Sequence, residues 1–310
     1  MERRAFLAAA TAAAAVSTTA GEARAMTTGE GGLQRAHQGP FKSAYAPHFG
    51  MFASLAGPDP VDQLEFAAEA GFTAWEDNSM ASRPVAEQER IAAAMDRLNM
   101  RMGIFVVNMG TAWNKSFGSG DQALRDKFLE ECRTAVEVAQ RVNATWMTVV
   151  CGTADERLHP EIQTGHCIDQ LRAASAIFEP HGLVMVIEPL NPYRDHPGML
   201  LARSTQAYAI CKGVNSPACN ILFDIYHQQI TEGNLIPNID ACYDEIGYFQ
   251  IGDNPGRNEP GTGEINYSNI FRHLRAKGYT GILGMEHGNS QPGEDGARAV
   301  LDAYRGCDDE

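Results

Sequence analysis

The chain has no CxxC pair, no GxGxxG after its first strand-like run, and no apolar stretch long enough for a permanent membrane span. Its seven cysteines stand far apart; an odd, scattered set supplies neither a disulfide framework nor a zinc-site spacing. The missing Gly-rich fingerprint weakens the case for a doubly wound dinucleotide-binding sheet. Positive charge is scarce. Lys and Arg number 25 against 39 Asp and Glu, and the net charge of −14 repels phosphate backbones, so no nucleic-acid partner is expected. What is present is a globular composition. Its 310 residues are 44% hydrophobic and 21% charged, enough to fill one large α/β barrel or two modest domains.

The first residues, MERRAFLAAATAAAAVSTTAGEARA, place Arg3 and Arg4 before an alanine-rich apolar run that ends at Ala23-Arg24-Ala25. That order matches a twin-arginine export signal over residues 1–25, which implies a periplasmic protein. The plain alternative is a disordered alanine-rich tail. Residues 26–44 lack periodicity and are rich in Gly, Thr and Gln near their start, as a linker would be.

From residue 45 to about 305 one unit recurs: a short apolar run, a polar loop, then a stretch of helical periodicity. The strand candidates are 48–55, 72–77, 101–108, 145–152, 183–190, 220–227, 246–253 and 281–288. Several intervening helical stretches end on glycine, as at Gly71, Gly182 and Gly278. Eight strand–helix units in about 260 residues fit a closed (β/α)8 barrel, a single α/β domain.

In such a barrel the chemistry lies at the C-terminal ends of the strands. Four consecutive strand candidates carry a polar residue there that an apolar core would reject. Glu188 follows VMVI, Asp224 interrupts ILFDIYH, Gln250 sits between Phe249 and Ile251, and Glu286 follows Met285. Taken singly, each has an ordinary explanation: a helix cap, an ion pair, a satisfied backbone group. Taken together, three carboxylates and an amide converging on one barrel mouth call for a balancing cation, because unpaired buried carboxylates are costly. An all-oxygen donor set suits Mg²⁺ or Mn²⁺ better than Zn²⁺ or copper. His227 lies three residues past Asp224. Arg257 is the only cation of the long loop 252–267, placed either to bind a substrate carboxylate or to pair with Glu259 or Glu264. His48, Glu76 and Trp113 are weaker candidates, for which packing or a solvated loop is the default.

The segments IEPLN (187–191), FDIYHQQ (223–229) and QIGDNPGRNEPGTGEINY (250–267), with Glu286, resemble the hydroxypyruvate isomerase family of the xylose-isomerase-like TIM barrels. The resemblance is dense in the second half of the chain and keeps the order and spacing of the motifs. It implies a divalent metal held by Glu188, Asp224, Gln250 and Glu286, with Glu188 and Glu286 as the acid/base pair and His227 and Arg257 near substrate. The implied reaction moves a carbonyl between adjacent carbons through an enediolate, for hydroxypyruvate giving tartronate semialdehyde. After Glu286 the chain has His287-Gly288-Asn289 where the family pattern runs Tyr-Lys-Pro. The resemblance therefore carries the metal site and proton transfer further than it carries the substrate.

The expected function is a metal-dependent aldose–ketose-type isomerase acting on a small hydroxy-keto acid or sugar. A keto-sugar epimerase or an oxidised-sugar lyase would use the same metal site. A non-catalytic periplasmic sugar-binding protein is the alternative outside enzymology, and two opposed glutamates argue against it. A homo-oligomer is compatible with the sequence, since an apolar helix face for a partner reads like one for the barrel.

Overall fold

The computed structural model describes residues 40–309. The expected export signal and nearly all of the expected linker lie outside these residues. Eight short strands run in chain order: β1 (Ala44–Ala46), β2 (Ala74–Trp75), β3 (Arg101–Met102), β4 (Trp146–Val149), β5 (Val184–Ile187), β6 (Cys219–Asp224), β7 (Ile246–Gln250) and β8 (Ile282–Gly284). Ten helices lie between and after them: α1 (Ala53–Ala56), α2 (Pro60–Glu69), α3 (Val85–Arg97), α4 (Gln122–Val142), α5 (Pro160–Phe178), α6 (Ser204–Val214), α7 (Ile225–Thr231), α8 (Leu235–Cys242), α9 (Tyr267–Ala276) and α10 (Gly293–Asp309).

All strand pairs are parallel. One sheet runs β1-β8-β7-β6-β5-β4, and β2 pairs with β3. Single parallel bridges from His48 to Glu76 and from Val106 to Thr148 join the two sheets at both seams. The ring of eight is thereby closed, as the strand–helix alternation predicts. One apolar cluster takes Ala46, Ala74, Ile104, Val186, Leu222, Tyr248 and Ile282, with Trp146 packed against it, and so fills the barrel interior from around the ring. The larger cluster, including Leu64, Phe128, Leu171, Ile210 and Phe271, packs helices onto the outside of the wall.

Local chemistry sets the helix ends. Asp59 and Asp121 accept backbone N–H bonds at the starts of α2 and α4, and Asn266 does so at α9. Gly182 and Gly278 adopt φ of +65° and +79° after their helical segments, the left-handed stop that glycine allows.

The first strand is a correction. Residues 48–55 read as a strand, but β1 ends at Ala46 and only the single bridge of His48 to Glu76 continues the pairing. Pro47 follows without an N–H, Gly50 turns at φ +99°, and residues 53–56 are helical. Met51 and Phe52, whose apolarity made the stretch look like a strand, are buried against the helices instead. The barrel also begins before residue 45: Phe41, in the expected linker, packs on Tyr45 and Phe72. At the other end α10 continues to Asp309, past the expected limit of 305.

Candidate active site

The four strand-end residues meet at one level of the barrel mouth. Asp224 and Gln250 close β6 and β7 and are register partners, so their side chains leave the wall side by side. Glu188 directly follows β5, and Glu286 stands two residues past the end of β8. Oxygens of Glu188 and Asp224 and a ring nitrogen of His227 lie within 4.8 Å of one another.

Asp224 has two tasks, one for each oxygen. Its Oδ1 accepts from the backbone N–H groups of Tyr226 and His227 and so caps α7. Its Oδ2 stays in the mouth, 3.5 Å from His227 Nε2 and 3.2 Å from Arg257. The cap also explains why the strand expected over 220–227 stops at Asp224. His227 has a defined proton position. Asn191 Oδ1 accepts from the backbone of Arg194 and Asp195, so its Nδ2 is the end that faces His227 Nδ1, at 2.6 Å. The 2.6 Å contact makes Nδ1 the acceptor and puts the ring proton on Nε2, facing Asp224 Oδ2 and Glu188 Oε1 at 3.5 and 3.7 Å, so that Arg257 Nη2, 3.4 Å from Nε2, is a second donor there and not its hydrogen-bond partner. His227 in that tautomer is a hydrogen-bond donor to the site.

Arg257 reaches neither Glu259 nor Glu264, its near neighbours in sequence. Its guanidinium spans Glu286 Oε2 at 2.6 Å and Asp224 Oδ2 at 3.2 Å and lies over the Tyr226 ring. Glu259 instead holds Ser290, and Glu264 binds Asn254 and Gln229. The loop that carries Arg257 is folded around Asp253, whose oxygens accept four backbone N–H groups, from Asn254, Gly261, Gly263 and Ile265.

Two residues on the β2 side complete the site. Asn78 donates to Glu286 Oε1 at 2.8 Å. Glu76 is 2% exposed and accepts from Gln250 Nε2 at 2.8 Å and from the Tyr248 hydroxyl at 3.0 Å. A cavity of about 270 Å³ opens here, lined by His48, Phe49, Asn78, Arg83 and Glu286 among others.

The electrostatics follow from burial. Desolvation pushes the Glu188 carboxyl well up, and the charges of Glu286 and Asp224 push it further. Asp224 is raised by burial, against the opposing pull of Arg257. Glu76 is raised by burial and by Glu286. Burial opposes the charge on Arg257, but Glu286, Asp224 and Glu188 outweigh it and keep the guanidinium charged. His227 is pushed down to about 3 by burial and by Arg257, and is neutral at ordinary pH. The mouth thus gathers more negative charge than one guanidinium offsets. It also holds an orphan: Gln250 Oε1 is buried without a hydrogen-bond partner. Buried carboxylates driven toward protonation, beside an unused amide oxygen, form a donor set that fits a hard divalent cation.

Glu188, Asp224, Gln250, Glu286, His227 and Arg257, all singled out in sequence, are brought together. Glu76 is drawn in with them, although packing was its default reading. Trp113 is half exposed on the same face, stacked on His196, and His48 Nε2 lies 3.0 Å from the His287 carbonyl oxygen. Asn78 and Asn191 went unnoticed, because an isolated Asn in a loop carries no periodic signal. Nothing in the sequence marks the hydroxyl of Tyr248 in β7 as the partner of Glu76.

The model of the family described as xylose isomerase-like TIM barrel matches residues 64–307. The chain belongs to that family. Hydroxypyruvate isomerase of Escherichia coli K12 is 34% identical over 166 residues, covering 54% of this chain and 62% of the relative. The 2-oxo-tetronate isomerase of Pectobacterium atrosepticum is 32% identical over 241 residues, 76% of this chain and 89% of the relative. Both relatives are named isomerases, and the chain is an enzyme of that class. Among solved structures, an AP endonuclease of family 2 from Brucella melitensis superposes with a TM-score of 0.70 at 25% identity, over 84% of this chain and 98% of the other. An Escherichia coli 3-keto-D-glucoside 4-epimerase reaches 0.71 at 20% identity, over 86% and 100%, a likeness of fold.

Proposed function

We propose that the chain is a divalent-metal-dependent isomerase that moves a carbonyl between adjacent carbons of a small hydroxy-keto acid, the class to which the compounds in its relatives' names belong. The observation that carries this reading is the ring of Glu188, Asp224, Gln250 and Glu286 at the ends of four successive strands, with Gln250 Oε1 buried and unpartnered. These four would hold Mg²⁺ or Mn²⁺, which when bound supplies positive charge for the oxygens of a substrate carbonyl and its neighbouring hydroxyl.

The chain's own residues do the rest. Glu188 and Glu286 come from opposite sides of the Asp224–Gln250 pair in strand order, so they approach a bound chain of carbons from two directions. One removes the proton from the hydroxyl-bearing carbon. The other, as a carboxylic acid, returns a proton at the adjacent carbon. Burial and the charges of Glu286 and Asp224 raise the affinity of Glu188 for a proton, which suits it to proton transfer. His227 donates from Nε2 to a substrate oxygen, and Arg257 offsets negative charge that builds on it. Asn78 holds Glu286 in its orientation.

The test is to strip the protein of metal, reload it with Mn²⁺ or Mg²⁺, and incubate it in D₂O with hydroxypyruvate, other 2-keto acids and a panel of keto-sugars. Metal-dependent deuterium uptake beside the carbonyl, with a new isomer that disappears in Glu286→Gln, is the expected result. Exchange on sugars but on no keto acid would replace the isomerase reading with an epimerase one. Absence of exchange with every compound, despite bound metal, would overturn the isomerase proposal.

Export by the twin-arginine route to the periplasm is a separate proposal, supported by residues 1–25 alone. Fusing those residues to a reporter, with and without Arg3→Lys and Arg4→Lys, tests it: the parent fusion is exported and the double variant is retained.

A further inference from the structure

Two glycines in the barrel leave no room for a methyl group. A Cβ on Gly284 would lie 1.8 Å from Glu76 Oε2, and one on Gly103 would lie 2.5 Å from the Tyr248 hydroxyl. The space they leave open holds an acid and a phenol, in a layer that apolar side chains would fill at lower cost. The two oxygens of Glu76 are used differently. Oε2 accepts from Tyr248, and Oε1 accepts from Gln250 Nε2.

The consequence falls on Gln250. A carboxamide has a donor end and an acceptor end of nearly the same shape, and only its hydrogen-bond partners decide which way it lies. With Nε2 tied to Glu76, Oε1 must face the other way. That is the oxygen found buried without a partner, on a residue in register with Asp224.

We propose that Glu76 is a positioning residue whose acceptance of Gln250 Nε2 turns the amide oxygen, rather than the amide nitrogen, toward the divalent metal. Gly284 and Gly103 are the openings that let the Glu76–Tyr248 pair sit beneath it. The inference rests on the metal-site reading above and goes beyond it, since Glu76 is not one of the four residues that would hold the metal. Ordinary packing of a buried acid would not require that its partner's free atom be an orphaned oxygen in the mouth.

A donor–acceptor swap tests the idea, read by Mn²⁺ affinity in titration calorimetry on the full chain, with melting temperature alongside. In Glu76→Gln the new amide can satisfy Tyr248 with its oxygen only by turning an NH₂ group against that of Gln250. Relief comes from flipping Gln250, which removes the ligand oxygen. Affinity is expected to fall about 10- to 100-fold, the range for loss of an outer-shell partner. Gln250→Glu alone removes the N–H that Glu76 Oε1 accepts and is also expected to weaken binding. The double variant Glu76→Gln/Gln250→Glu restores one donor facing one acceptor and is expected to return affinity to near that of the parent. If Glu76→Gln does not fold, Tyr248→Phe frees Oε2, lets the carboxyl rotate, and is expected to weaken Mn²⁺ several-fold.

Parent-like affinity in Glu76→Gln, or a double variant no better than the single ones, would overturn the positioning role while leaving the metal site intact. A parent protein that binds no Mn²⁺ would overturn the metal reading itself, and this inference with it.

Discussion

Arg257 Nη2 lies 2.6 Å from Glu286 Oε2, so the only cation of the loop after β7 is committed to the carboxylate that follows β8. The same nitrogen lies 3.2 Å from Asp224, and the residue holds φ at +53°, a left-handed conformation rare for a side chain of this size. Removing it leaves two carboxylates facing each other. Arg257→Ala is expected to lower kcat/KM by about 10²-fold or more, on the scale of losing one preorganised charge at a reaction centre. Arg257→Lys replaces a planar fork with a point charge and should recover only a small part of that loss. Steady-state kinetics on the substrate found by deuterium exchange would check both, and full activity in the lysine variant would refute the bridging role.

Asp253 is the residue that lets Arg257 hold that position. Four backbone N–H groups converge on its buried carboxylate, and Asp253→Ala would take away the acceptor they share. Hydrogen bonds to a charged group are the strong ones, and the expected cost is about 2–4 kcal/mol in urea denaturation. Asp253→Asn keeps one acceptor oxygen and should lose roughly half as much. Activity should fall in both variants, because the Arg257 backbone N–H bonds to the Asp253 carbonyl inside the same loop.

The site was legible where a polar residue broke an apolar run: Glu188 after VMVI, Asp224 within ILFDIYH, Gln250 inside FQI, Glu286 after Met285. A carboxylate in such a run has few places to go except the end of a strand. Glu76 carries the same signature after Ala74-Trp75, but its partners lie more than 170 residues away, and their relation to it appears only once the ring has closed. Arg257 was legible only as a choice between a substrate carboxylate and its near neighbours. The loop turns those neighbours, Glu259 and Glu264, toward Ser290 and Asn254, and leaves the guanidinium in the mouth. The fold was legible through strand–helix alternation, which survives errors of a few residues. It failed at residues 48–55, where burial against helices produced an apolar run that no ladder uses.

Two glycines of opposite meaning make a paired stability test. Gly284→Ala drives a methyl group into Glu76 Oε2 and is expected to destabilise by about 1–3 kcal/mol through overpacking. Gly165 lies inside α5, is exposed, and has nothing within 4 Å of where a Cβ would stand. Gly165→Ala should therefore stabilise by about 0.5–1 kcal/mol, through helix propensity and a less mobile unfolded chain. Chemical denaturation of the two variants beside the parent measures both signs, and a Gly284→Ala protein as stable as the parent would show that Glu76 has somewhere else to go.

Metal binding and pH should be linked with a definite sign. Glu188 and Asp224, two of the residues that would hold the metal, have their carboxyls raised by burial, so folding without metal favours their protonated forms. That contribution is fully present below the ordinary carboxylate range and is lost as pH rises through the raised values. His227 works the other way: pushed down to about 3, its contribution is fully present above its unfolded value and is lost progressively as pH falls from there toward 3. Between about pH 6 and pH 8 the carboxyls therefore dominate the trend. The metal-free protein should melt at lower temperature as pH rises across that window. A divalent cation needs the ionised carboxylates, releases their protons on binding, and should bind more tightly at the higher pH. The gap between the Mn²⁺-loaded and metal-free melting temperatures is expected to widen from pH 6 to pH 8. A gap that stayed constant or narrowed would mean that these carboxyls are not the groups the metal displaces protons from.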